Sequence, residues 1–100
     1  MFDVQQTDRF QAWFAKLTDV KAKAAVFDRI DRLALGNVGD AKALGDGVSE
    51  LRIHLGPGYR MYFCQTGTTV ILLLVGGVKR TQDRDIKRAK ALAAIAKGKP

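Results

Sequence analysis

Cysteine occurs once in this chain, at Cys64, and histidine once, at His54. A lone thiol cannot close an internal disulfide or supply a multi-cysteine zinc site, and a lone imidazole argues against a histidine-based metal centre. No apolar run approaches the roughly 18–20 residues that span a bilayer. The start, Met1-Phe2-Asp3-Val4-Gln5-Gln6, lacks the basic head and apolar core of a secretory leader, so a cytoplasmic protein without a membrane partner is expected. Phosphate-loop and dinucleotide glycine signatures are missing. No serine, cysteine or paired-carboxylate arrangement stands out for catalysis. Of the 100 residues, 47% are apolar and 27% charged. That excludes a disordered chain of low hydrophobicity and suits one domain over residues 1–100.

Charge is plentiful and uneven. The net charge is +7, yet residues 79–100 alone hold eight basic and two acidic residues. A field so polarised favours a polyanion or an acidic protein partner. The bland alternative is a solvated, lysine-rich helix.

The hydrophobic spacing predicts an α+β fold. Phe2–Gln5 alternates and reads as a first strand. Thr7 or Asp8 caps a helix whose Phe10, Trp13, Phe14 and Leu17 share one face. Thr18-Asp19 breaks the chain and caps a second helix, Val20 to about Leu35, with Ala22, Val26, Ile30 and Leu33 inward. The pair reads as an αα-hairpin. Residues 36–47 are dense in glycine and read as a loop, from which Lys42 could approach a ligand. Residues 48–76 read as a three-stranded meander: Val48–Leu55, Tyr59–Cys64, and the almost wholly apolar Thr68–Val75, expected to be covered on both faces. Thr66-Gly67 reads as a two-residue turn. Thr81 is placed as the cap of a last helix, about Gln82–Lys97. The expected architecture is an N-terminal strand and αα-hairpin packed on a mainly antiparallel four-stranded sheet, with a C-terminal helix.

Hairpin register decides which side chains meet. A three-residue loop, Gly56-Pro57-Gly58, pairs Leu55 with Tyr59, Ile53 with Met61 and Leu51 with Phe63, all apolar. It sets His54 opposite Arg60 and Arg52 opposite Tyr62 on the other face. Lys79 and Arg80 follow the last strand at the same end. The result is a cationic patch of Arg52, Arg60, Lys79 and Arg80, with His54 and Tyr62 inside it.

Such a patch suits RNA, which supplies its own nucleophile in the 2′-hydroxyl and calls for no cofactor or metal. Arginine forks neutralise phosphorane charge. His54 is a candidate general acid or base, and Tyr62 a stacking platform or proton donor. Against this, Arg52 and Arg60 could simply pair with Glu50 and surface aspartates. Cys64 reads as a small strand residue.

The run Val48-Ser49-Glu50-Leu51-Arg52-Ile53-His54-Leu55-Gly56-Pro57-Gly58-Tyr59-Arg60-Met61-Tyr62-Phe63 resembles the hallmark of the bacterial RelE/ParE toxin superfamily. It is closest to the branch of addiction module killer proteins, grouped with HigB-like toxins. Leu72-Leu73-Leu74-Val75-Gly76-Gly77-Val78-Lys79-Arg80-Thr81-Gln82, followed by Asp85-Ile86, is similar to that branch's second signature. The resemblance implies a RelE-like fold and a type II toxin, neutralised by an antitoxin carrying a helix-turn-helix. It implies a metal-independent endoribonuclease that cuts mRNA on the ribosome, with its cationic sheet residues at Arg52, Arg60 and Lys79. Many RelE-like nucleases place a tyrosine or histidine just after the last strand. Gly77–Gln82 has neither, which leaves His54 and Tyr62 as substitutes. Arg80, Arg84, Lys87 and Lys42 are the candidate RNA-backbone contacts. Two other readings stand beside this one: a ParE-like toxin acting on DNA gyrase, and an antitoxin-binding module without catalysis.

Overall fold

A computed structural model describes residues 1–98, so Lys99, counted in the basic tail, lies outside the described residues. The chain runs β1 (Asp3–Gln6), α1 (Asp8–Ala15), α2 (Val20–Ala34), β2 (Ala41–Gly45), β3 (Val48–Ile53), β4 (Tyr59–Thr66) and β5 (Val70–Val78). A 3-10 turn over Lys79–Thr81 then leads into α3 (Gln82–Ala96). The helix starts follow the capping residues. The Thr7 hydroxyl accepts the Phe10 N–H at 3.0 Å, and the Asp19 carboxylate accepts the Lys21 and Ala22 N–H groups at 3.0 and 3.2 Å.

The sheet has five strands, not four, in the order β1-β5-β4-β3-β2. β1 lies parallel to β5, and every other pair is antiparallel. The additional strand, β2, comes from the glycine-dense segment expected to be a loop. It folds back on β3 through Asp46-Gly47, whose φ angles are 55° and 76°. Two consecutive residues at positive φ make the tight turn whose twist matches that of a hairpin.

The β3–β4 register is two residues away from the expected one. Ile53 pairs with Tyr59, Arg52 with Arg60, Leu51 with Met61 and Glu50 with Tyr62. The loop is therefore His54–Gly58, closed inside by Gly58 N–H on the Leu55 carbonyl at 3.0 Å. Gly58 takes the left-handed φ expected of it, 77°. Because side chains alternate with period two, a two-residue shift moves partners without changing faces. The β4–β5 turn also differs: Thr66 pairs with Val70 across three residues. A bulge follows, and Arg60 lies opposite Gly77 and Tyr62 opposite Val75.

Two cores flank the sheet. On one face Phe10, Ala22, Val26 and Leu33 of α1 and α2 pack on Leu51, Ile53, Met61, Phe63, Ile71 and Leu73. On the other, Ala89 and Ala93 of α3 pack on Val48, Tyr62, Cys64, Leu74 and Val75. β5 is thus covered on both faces, as its unbroken apolar run predicts. No described helix is long and apolar enough to cross a membrane.

Candidate nucleic-acid interface

Strand register brings the two arginines together. Arg52 and Arg60 are direct cross-strand partners, so both project from the face that carries α3. Like charges directly opposed repel. The compensating group is Glu50, one pleat back on the same face and fully buried. Arg52 Nε donates to Glu50 Oε2 at 2.9 Å, and Arg60 Nε lies 3.6 Å from Oε1. Gln82, at the start of α3, donates from Nε2 to the same Oε1 at 2.5 Å. The alternative pairing of the arginines with Glu50 is therefore realised, and it coexists with their convergence.

That pairing leaves donors over. Arg52 engages Glu50 through Nε, and neither of its terminal nitrogens has a hydrogen-bond partner among the described residues. Its side chain is about a third exposed, whereas that of Arg60 is nine-tenths buried. Arg60 Nη1 donates to the Gly58 carbonyl at 3.0 Å, and the Lys79 backbone N–H donates to the same oxygen at 2.9 Å. One carbonyl of the hairpin loop thus ties Arg60 to the segment that carries Lys79. A Cβ on Gly58 would lie 3.1 Å from Arg60 Nη1 and 3.5 Å from Lys79 Cβ, so the small residue admits both. The Lys79 and Arg80 side chains, with Arg84 and Lys87 on α3, are exposed. Lys42 is exposed too; it pairs with Glu50 across β2–β3 and so joins the arginine face from an edge strand rather than a loop.

His54 and Tyr62 are not where the shorter loop would put them. His54 falls in the loop, exposed, with Nε2 2.7 Å from Asp40 Oδ2. That hydrogen bond, more than the nearby charges, holds the Asp40 carboxyl below its usual range. Tyr62 lies opposite Glu50, fully buried under α3, so it offers no platform to a base. Its hydroxyl has no hydrogen-bond partner among the described residues. Burial, and then the Glu50 and Asp85 carboxylates, push its pKa far above the usual phenol range. The expected proton donor is therefore held as a sealed, neutral phenol.

The 3-10 turn brings a feature that the spacing did not disclose. Thr81 does not cap α3 through its side chain. Its hydroxyl donates instead to Asp85 Oδ2 at 2.6 Å, and Asp85 is buried against the Gly77 backbone. Gly76 and Gly77 lie inside β5, and the carboxylate that needs the second glycine bare shows up in no local pattern.

The arrangement presents a planar fork and a flexible ammonium at one end of the sheet, positioned by a buried carboxylate. Such a set can grip a phosphodiester from two sides.

The chain is 48% identical over 90 residues to an uncharacterized protein of Haemophilus influenzae (strain KW20 / Rd), covering 90% of this chain and 91% of that one. No solved structure matches it. Residues 12–97 match the family described as phage derived protein Gp49-like (DUF891), a span that contains both arginines, Glu50, Lys79 and α3. The chain belongs to this Gp49-like family, a RelE-like toxin family of toxin–antitoxin systems.

Proposed function

We propose that this protein is the toxin of a type II toxin–antitoxin pair, of the HigB-like kind. In this reading it acts in the cytoplasm as a metal-independent endoribonuclease on mRNA held by the ribosome. The observation that carries the reading is the cross-strand pair Arg52–Arg60, positioned on one buried carboxylate with the terminal nitrogens of Arg52 unpartnered. Family membership supports the toxin role and, with it, an antitoxin partner, here assigned a helix-turn-helix.

The RNA 2′-hydroxyl gives up its proton and attacks the adjacent phosphate; the P–O5′ bond breaks, leaving a 2′,3′-cyclic phosphate and a 5′-oxygen that takes up a proton. Arg52 binds the non-bridging oxygens and stabilises the charge that builds on them. Arg60 holds the register of the site from below, and Lys79 takes the same or a neighbouring phosphate. His54 is the one proton-transfer group left open to solvent: Asp40 occupies Nε2, and Nδ1 remains for the substrate. The ribosome supplies alignment of the strand, which lets a site with sparse acid–base equipment work.

The test is induction in cells with mapping of transcript 5′ ends. Cleavage at positions set by the reading frame is expected from the parent. Arg52→Ala is expected to lose cleavage and growth arrest while keeping a native circular dichroism spectrum. Intact transcripts with a DNA-damage response would instead place the target at gyrase, and arrest by a folded Arg52→Ala protein would remove the arginine from the mechanism.

A further inference from the structure

β1 pairs with β5 only as far as Gln6 and Leu73. Beyond Leu73 the outer edge of β5 has no strand neighbour among the described residues. α1 turns away there, held by Thr7, whose N–H donates to the Leu73 carbonyl at 3.0 Å and whose hydroxyl donates to the Leu74 carbonyl at 2.7 Å. Between α1 and α3 opens a groove of about 270 Å³, floored by Val75 and Gly76.

Its walls are cationic. Arg9 comes from α1 and Lys16 from its C-cap, Arg84 and Arg88 come from α3, and Trp13 also lines the groove. Residues 9, 13 and 16, like residues 84 and 88, recur at helical spacing and so share a face. One carboxylate lines the groove: Asp85, whose Oδ2 takes the Thr81 hydroxyl and whose Oδ1 lies 3.7 Å from Arg84 Nε. Arg9, Lys16 and Arg88 have no side-chain hydrogen bond or ion pair among the described residues. Four cations around one engaged carboxylate leave an excess that an anion relieves. The Trp13 ring packs on the Gly76 backbone and, half-buried, also lines the groove, so an aromatic surface rather than the alternating pockets of an added peptide strand is what the groove offers.

We propose that this groove holds the phosphate backbone of single-stranded RNA, with Trp13 against a base. The proposal rests on RNA being the substrate and extends that site. The groove floor at Gly76 adjoins Gly77, the cross-strand partner of Arg60. Arg84, on the groove wall in the first turn of α3, follows the 3-10 turn that carries Lys79 and Arg80.

Trp13 is the sole tryptophan, so its emission reports occupancy directly. Arg52→Ala protein, which leaves the strand uncut, is titrated at low salt with a short oligoribonucleotide. A saturable change in Trp13 emission is expected. In the triple variant Arg9→Gln/Lys16→Gln/Arg88→Gln, affinity is expected to fall at least ~10-fold, and the slope of log affinity on log salt to become shallower by about 2. Lys21→Gln, on an exposed turn of α2, serves as the control and should bind as the parent does. Binding by labelled RNA that leaves Trp13 silent, or that the triple substitution spares, overturns the proposal; so does equal occupancy by a poly-glutamate peptide. The two readings fail separately. RNA seated on Trp13 with transcripts left intact in cells removes the nuclease and keeps the groove. Transcript cleavage with an indifferent groove does the reverse.

Discussion

Two guanidiniums directly across one strand gap are an unfavourable pair, and Glu50 is the reason they can share a row. The carboxylate is wholly buried, so removing it leaves Arg60, itself nine-tenths buried, beside a like charge with no counter-ion. Glu50→Ala is expected to cost about 3 kcal/mol in urea unfolding, at the low end for a broken buried pair because Arg52 is partly solvated. Glu50→Gln, which keeps the shape and one acceptor, should cost less. A Glu50→Ala protein as stable as the parent would show that the arginines do not depend on it. Tyr62 gives a second test at this scale. Its folded pKa lies above that of the unfolded chain, about 10, so the neutral phenol adds stability that is fully present below about pH 10 and lost as the pH rises beyond it. Tyr62→Phe removes a buried hydroxyl without a partner. It should be neutral or stabilising near pH 7 and should flatten the alkaline decline, read as urea midpoints from about pH 8 to 11. An alkaline decline identical to that of the parent would contradict the placement of the phenol.

The element that decides the site is α3 with the 3-10 turn before it: the helix start delivers Gln82 to Glu50, and the turn ties Lys79 and Arg60 to one Gly58 carbonyl. Its inward stripe is Asp85, Ala89 and Ala93, small residues at helical spacing headed by a carboxylate. That carboxylate sits where a Cβ on Gly77 would be. Gly77→Ala is therefore expected to push the helix off the sheet end and cost roughly 1–3 kcal/mol. Adding Asp85→Ala clears the space, so the double variant should recover part of the loss, a coupling that a double-mutant cycle in urea measures. Strictly additive costs would mean that the two residues do not meet. Elements of this kind were legible in the sequence to different depths. Thr7 and Asp19 announce α1 and α2, and Leu51, Ile53, Met61 and Phe63 announce the core face of the hairpin. The faces survived the wrong loop length because period two is blind to a two-residue slip. The partners did not survive, and that is why Arg52 meets Arg60 while His54 falls outside the sheet and Tyr62 meets Glu50. β2 was hidden by composition: Ala41-Lys42-Ala43-Leu44-Gly45 has almost no apolar alternation. Asp46-Gly47, an established hairpin pair, was the local signal that could have disclosed it.

Across the whole molecule the two sheet faces divide the work. The face under α1 and α2 is given to the larger core. The other is covered by α3 over its middle and leaves one end to Arg52, Arg60 and the basic start of that helix. Arg84 and Lys87 are exposed on that helix and contribute charge to this end. Phosphate contacts position a strand without reading its bases. The double variant Arg84→Gln/Lys87→Gln should therefore weaken association with mRNA-loaded ribosomes to a similar degree for every message, and reduce the salt slope by about 1–2. The cleavage positions mapped in cells should stay where they were, because the arginine row proposed to hold the scissile phosphate is intact. Arg52→Ala should do the opposite, sparing most of the salt-dependent association and losing the cut. If the helix variant instead moves the cleavage positions, α3 reads the message, and the separation between a gripping row and a positioning helix is wrong.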